Sequence, residues 1–130
     1  MRVPYRWKIV RLMVAVVMSL LPLEVRAQQY TQKQIIDALI MSDQKSLWFL
    51  ECVQTYTPRA IKAGMTTVDF KALLVGACIQ EKAKFRSAFV DWSAKAYPSV
   101  GWEQISQTFD DTVSQYIDAE VTKLAMAKLQ

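Results

Sequence analysis

The sequence predicts an all-α protein, an elongated up-down-up bundle of three helices that is cross-linked by one disulfide. Apolar residues recur at steps of three and four along three long segments, which is the spacing of one helix face. No stretch of useful length alternates apolar and polar residues as a half-buried strand does. The chain has only two cysteines, which can form a single bridge.

The first 27 residues have the order of a secretory signal peptide. Basic residues precede an apolar run from Leu12 to Leu23, and Val25 and Ala27 suit the −3 and −1 positions of a signal-peptidase site. We therefore expect cleavage after Ala27 and a periplasmic or secreted protein. A retained membrane anchor is the alternative, but a membrane span needs about 20 apolar residues, and Arg11 cuts this run short.

Export changes the charge of the chain. Of its 16 basic and 12 acidic residues, the signal peptide holds five and one, so the predicted single helical domain at residues 28–130 has no net charge. A nucleic-acid-binding protein needs an excess of Lys and Arg to neutralise phosphates. We therefore expect no nucleic-acid partner, and no membrane association once the signal is removed.

The composition argues against the common kinds of active site. The chain has no histidine, which excludes His-based triads and His metal ligands. Its three glycines are isolated, so it has no glycine-rich phosphate loop, and two cysteines without histidine do not complete a structural zinc site. We expect no cofactor, no metal and no enzymatic activity. A hydrolase that uses Glu81 and Glu120 as acid and base is the alternative.

The first helix is predicted to begin after Thr31, which suits an N-cap, and to run toward Gly64, which suits a helix C-terminus. Pro58 should kink or split it, because proline removes a helical hydrogen bond and its ring clashes with the preceding turn. A buried stripe is expected at Ile35, Ile36, Leu39, Phe49, Leu50, Val53 and Tyr56.

The second helix is predicted to start at Thr66, which forms a capping-box-like pair with Asp69, and to continue to Tyr97. Its apolar face contains Phe70, Leu74, Cys78, Phe85, Phe89 and Trp92. The opposite face carries small residues, which we interpret as ordinary helix-forming residues or as a contact with a neighbouring helix of the same bundle, with a homodimer contact as the alternative. These small residues are Ala72, Gly76, Ala83, Ser87 and Ala94.

The third helix should begin after Pro98, with Ser99 as its cap, and reach almost to Gln130. Its apolar face contains Trp102, Ile105, Phe109, Val113, Tyr116, Ile117 and Leu124. An aromatic stripe at this spacing is typical of a packed core, so we assign Trp92, Trp102 and Phe109 to packing.

The two cysteines are predicted to be bonded to each other. In an antiparallel hairpin that turns near Met65, Cys52 and Cys78 lie at equal distances from the turn and therefore face each other. A disulfide needs Cα atoms within roughly 4.4–6.8 Å, and Gly76 and Ala77 remove bulk beside Cys78. Export places the pair in an oxidising compartment, which favours a structural bridge over the alternative of a reactive or redox-switching pair.

Three carboxylates fall near this bridge along the bundle. Glu51 precedes Cys52, Glu81 lies on the aromatic face of the second helix, and Glu120 lies within the apolar stripe of the third. If these groups are partly buried, the fold should respond to acid. The alternative is that they are solvated charges paired with nearby lysines.

The segment ACIQEKAKFRSAFVDW, residues 77–92, resembles the second-cysteine segment of HdeA-type periplasmic acid-stress chaperones. That resemblance implies an exported helical protein with one disulfide that dimerises at neutral pH and binds clients in acid. The family's cysteines are much further apart than Cys52 and Cys78, so its disulfide topology does not carry over. The segment also resembles uncharacterised small exported proteins of proteobacteria, which implies no activity.

These observations favour a non-enzymatic protein-binding module of the periplasm with an unknown protein partner. An acid-activated chaperone of HdeA type is the first alternative. A periplasmic immunity protein against a secreted toxin is the second, since such proteins are also small, exported and disulfide-bonded.

Overall fold

A computed structural model describes residues 30–130 and contains five α-helices in this range. The helices are α1 Gln32–Gln54, α2 Tyr56–Lys62, α3 Thr67–Gly76, α4 Ile79–Ala96 and α5 Trp102–Ala127. No strand occurs in this part of the chain, so the predicted all-α class is confirmed. The predicted signal peptide, residues 1–27, lies outside the described range and stays a prediction.

Three of the predicted helix boundaries are confirmed by their hydrogen bonds. The Thr31 and Thr66 hydroxyls accept from the backbone N–H groups of Gln34 and Asp69, as N-caps do. Gly64 has a φ of 66° and ends α2 in a Schellman motif, in which the Met65 N–H donates to the carbonyl of Ala60. Glycine adopts this left-handed conformation without steric cost.

The predicted break near Pro58 is also confirmed, and it falls at Thr55, between α1 and α2. Pro58 is the third residue of α2. Backbone N–H groups in a first helical turn have no intrahelical acceptor, so proline costs little there. The same ring would clash with the carbonyl of Gln54, four residues earlier, if one helix continued through this point.

The second predicted helix is wrong in one respect, because it is two helices. The chain leaves α3 after Gly76, Ala77 is extended, and Cys78 has a φ of 59° before α4 begins. Cys78 is the only non-glycine residue with positive φ in the described range. The break places Cys78 beside Cys52 of α1, with the two Cα atoms 6.1 Å apart, a separation within the range that a disulfide needs.

The predicted cap of the last helix is wrong as well. The N-cap of α5 is Gly101 and not Ser99, and no side chain caps this helix. The predicted stop at Pro98 is confirmed, since α4 ends at Ala96.

The helices form a bundle in which α5 spans two pairs of shorter helices. The helix α1 packs mainly along α4, and the bridge near the end of α1 and the start of α4 makes this pair antiparallel. Beyond the bridge, α2 and α3 are joined by the turn at Gly64, and both pack against α5. With 26 residues, α5 is about 39 Å long at 1.5 Å per residue. Residues 31–130 form one compact unit.

The core between α1, α4 and α5 is built around Phe85. Its ring centroid lies 6.3 Å from that of Phe49 on α1 and 5.0 Å from that of Phe109 on α5. Phe89 and Tyr116 complete the cluster at 6.0 and 6.4 Å. Aromatic pairs at such separations contribute about 0.5–1.5 kcal/mol beyond the burial of their surface, so this cluster fixes how the three helices meet.

Some predicted core positions are exposed. In the first stripe Phe49 and Val53 are buried, but Ile36 and Leu39 are open to solvent. Trp102 is 58% exposed, and its ring lies beside the guanidinium of Arg86. The small residues predicted to share one helix face are all exposed, and the break before α4 places them on two helices. None of the described helices combines the length and apolar character that crossing a membrane requires.

Replacing both cysteines, as Cys52→Ser/Cys78→Ser, should destabilise the fold by about 3–4 kcal/mol, because the bridge restricts the unfolded chain between positions 26 residues apart. Urea unfolding followed by circular dichroism measures this loss. Intact mass before and after reduction, under denaturing conditions, should show the uptake of two hydrogens. An unchanged unfolding midpoint in the double variant would contradict a stabilising role for the bridge.

Candidate functional site

The predicted bridge between Cys52 and Cys78 is confirmed, with an S–S distance of 2.04 Å. Cys78 is 9% exposed and belongs to the hydrophobic core, whereas Cys52 is partly exposed at its edge. The expected role of Gly76 in this close approach is wrong, because a Cβ atom at that position would meet nothing within 4 Å.

A solvent-open cleft of about 320 Å³ lies beside the bridge. Its walls carry both acidic and basic groups, and its lining consists of Trp48, Glu51, Cys52, Thr55, Glu81 and Lys84. Lys45 places its Nζ atom 3.8 Å from the centroid of the Trp48 ring, a cation–π contact at the rim. Glu51 and Glu81 make no ion pair within 4 Å among the described residues.

Glu120 lies elsewhere, in the interface between α5 and α2. It is 1% exposed, which makes it the one fully buried charged residue of the described range. Both of its carboxylate oxygens bind the ammonium group of Lys123, at 2.7 and 3.0 Å, and its Oε1 accepts from the Thr57 hydroxyl at 3.3 Å. Lys123 keeps half of its side chain in solvent. The sequence left open whether this carboxylate is buried or is paired with a nearby lysine. In the structure it is both.

The structure therefore brings two of the three predicted carboxylates together and leaves the third apart. Glu51 and Glu81 face the same cleft, and Glu120 does not line it. Acid–base catalysis needs both groups within reach of one substrate. The hydrolase alternative requires Glu81 and Glu120 to act together, and of these two only Glu81 lines this cleft.

A second cavity, of about 370 Å³, lies between α4, α5 and the loop that joins them. Its lining residues are Phe89, Trp92, Ser93, Tyr97, Val100, Gln104, Ile105 and Thr108. This lining contains no carboxylate, lysine or arginine. Trp92 packs edge-on against Phe89 and Tyr97, each with ring centroids 5.8 Å apart, in agreement with its predicted packing role.

The side of α1 that faces away from the bundle is also apolar. Ile36, Ile40 and Leu47 are 53, 50 and 54% exposed. Each lies two residues before a buried one, in the series Ala38, Ser42 and Phe49. Two residues correspond to about 200° around a helix, so α1 has apolar side chains on two opposite faces. We call the exposed one the outer face, which comprises Ile36, Leu39, Ile40, Asp43 and Leu47.

Sequence reasoning missed the outer face because it assigned Ile36 and Leu39 to the core. The signal was present in the spacing of four and seven residues between Ile36, Ile40 and Leu47. The charges beside this face are mostly acidic: Asp43 lies within it, and the exposed Asp37 and Glu51 flank it. Comparison with protein-family models, curated proteins and solved structures finds no match to this chain.

The variant Glu120→Gln should lower the free energy of unfolding by about 1.5–3 kcal/mol, because it keeps the size of the side chain but removes the charge that binds Lys123 and Thr57 in a buried site. Asp118→Asn is the matched control. Asp118 pairs with Lys71 on the surface, with both side chains 57% exposed, and exposed pairs contribute at most about 1 kcal/mol. Urea unfolding measures both variants. An equal loss of unfolding free energy in the two would contradict the larger contribution expected from the buried Glu120.

Proposed function

We propose that this chain is a small exported helical protein that binds another protein through the outer face of α1 and has no enzymatic activity. The observation that carries this proposal is the exposure of Ile36, Ile40 and Leu47 along one helix face. Isolated apolar residues are common on protein surfaces, whereas several exposed apolar side chains that share one helix face are typical of an interaction surface. The disulfide is compatible with an oxidising compartment outside the cytoplasm.

The charges around this face define the chemistry of the partner. Asp37, Asp43 and Glu51 are exposed on or beside it, and Lys33 is the nearby exposed cation. Side chains three and four residues apart on a helix are neighbours, so a partner helix with apolar residues spaced in the same way would fit. Lys or Arg residues along the edge of that helix would meet the carboxylates, which favours the correct partner and speeds association. A second copy would instead bring like charges together.

The variant Ile40→Asp should weaken binding of a purified partner at least about 30-fold, equivalent to the roughly 2 kcal/mol of an interface hot spot. Val68→Asp is the control, because Val68 is 77% exposed on α3, away from the outer face. The partner is obtained by affinity capture and then tested alone by calorimetry. Added salt should also weaken the complex, since charge complementarity is screened.

Binding that survives Ile40→Asp unchanged would contradict the proposal, as would a partner surface that is acidic. Sedimentation of the chain alone tests the homodimer, which the acidic rim disfavours at neutral pH. If the captured partner is a toxin that the chain inactivates, the module serves as an immunity protein.

A chaperone that acts in acid is the second candidate, and the burial of Glu120 favours it. Its ion pair with Lys123 requires the charged carboxylate, and its Oε1 also accepts a hydrogen bond from Thr57. Loss of this charge would remove the ion pair from the interface between α2 and α5. Loss of the carboxylate charges beside the outer face would leave that surface more apolar.

The chaperone candidate predicts that the chain suppresses aggregation of a model client at about pH 2–3, where carboxylic side chains become protonated, and not at neutral pH. Light scattering of an acid-labile client measures this. The Ile36→Ser/Ile40→Ser variant should lose suppression while Val68→Ser retains it. Unchanged aggregation in the presence of the wild-type chain at acidic pH would eliminate this candidate.

A further inference from the structure

The two sulfur atoms of the disulfide and the carboxylate of Glu81 lie close together. The Sγ atoms of Cys52 and Cys78 and a carboxylate oxygen of Glu81 all lie within 4.8 Å of one another. Glu81 lies in the first turn of α4, three residues after Cys78, and it contributes to the wall of the open cleft. Since Glu81 has no ion pair within 4 Å among residues 30–130, its carboxylate is available as a ligand.

We propose that this set is a redox-gated zinc site, in which reduction of the bridge converts the two sulfurs and Glu81 into three ligands for a single Zn²⁺ ion. The composition excludes a conventional structural site with histidines, but thiolates and carboxylates both bind zinc. Two soft sulfur ligands disfavour Mg²⁺ and Ca²⁺, which prefer oxygen alone. Three protein ligands leave one position open for water or for Glu51 in the same cleft.

Zinc binding at this set requires only a local movement of the two sulfur atoms. Zinc binds thiolates at about 2.3 Å and carboxylates at about 2.0–2.2 Å, so tetrahedral ligands lie roughly 3.8 Å apart. The oxygen of Glu81 is already within 4.8 Å of both sulfurs. The sulfurs must separate from their bonded distance of 2.04 Å. Cys78 lies at the break between α3 and α4, outside both helices, so its side chain can move without deforming a helix.

The chemistry balances with a dithiol as the reductant. A thiolate of the dithiol attacks Cys52, whose sulfur lies at the exposed end of the bridge, and Cys78 leaves as a thiolate. The second thiol of the reductant then releases Cys52 and forms the oxidised dithiol, so two electrons pass to the protein sulfurs. Binding of Zn²⁺ to the two cysteines releases their two protons. The bridge and the metal are therefore mutually exclusive.

The test uses the purified chain, reduced with dithiothreitol that is then removed without air. Competition with a chromophoric chelator should show a single Zn²⁺ bound per reduced chain and none per oxidised chain. Glu81→Gln should weaken zinc binding at least about 10-fold, the least that loss of even an outer-sphere partner usually costs. Glu103→Gln, in the first turn of α5, should bind as the wild type does.

Cobalt provides a readout that does not depend on the chelator. Co²⁺ added to the reduced chain should give a thiolate-to-metal absorption band that the Cys52→Ser/Cys78→Ser variant lacks, and Glu81→Gln should change the visible bands. Circular dichroism reports whether the reduced chain stays folded, and if it unfolds, zinc should restore its helicity. Failure of the reduced chain to bind zinc would overturn the proposal. Equal zinc affinity in Glu81→Gln and Glu103→Gln would overturn it as well.

Discussion

The bond between Cys52 and Cys78 is the constraint on which the rest of the structure depends. It lies where the antiparallel pair α1 and α4 meets the shorter pair α2 and α3. The bond joins α1 to the point where the second helical segment breaks, at Ala77 and Cys78. A left-handed conformation costs a non-glycine residue about 1–2 kcal/mol, less than the stability the bridge contributes.

Two kinds of contact connect this junction to α5. On one side, Phe85 packs against Phe109, and Arg86 donates to the Ser106 hydroxyl. On the other side, Thr57 of α2 donates to the buried Glu120. The carboxylate is the one charge in this core, and its bonds to Lys123 and Thr57 satisfy it there. The long helix α5 therefore contacts both halves of the bundle, one through aromatic packing and the other through a polar contact.

Much of this arrangement could be predicted from local sequence. Residue type marks the helix ends at Thr31, Gly64 and Thr66. The pairing of the two cysteines follows from their equal distance from a turn near Met65. The break at Cys78 could not be predicted from periodicity, because the apolar spacing of Leu74, Cys78 and Phe85 continues through it. The partner Thr57 of Glu120 is 63 residues away in sequence, and periodicity places the carboxylate on the stripe without identifying that contact.

The outer face shows why helix periodicity alone leaves function open. The helix α1 has apolar residues at equal spacing on two sides, and only tertiary packing decides which side is covered. The covered side, with Phe49 and Val53, builds the core. The uncovered side remains for a partner, and the bridge holds the covered side in place while leaving the other free.

Hydrogen exchange of the native protein tests the role of the bridge most directly. With the disulfide intact, the slowest amides of α2, α3 and α5 should exchange with similar free energies of opening, because the bridge joins both halves into one cooperative unit. After reduction in a metal-free buffer, amides of α2 and α3 should open at a clearly lower free energy than those of α4. Unchanged protection of α2 and α3 relative to α4 after reduction would contradict this account.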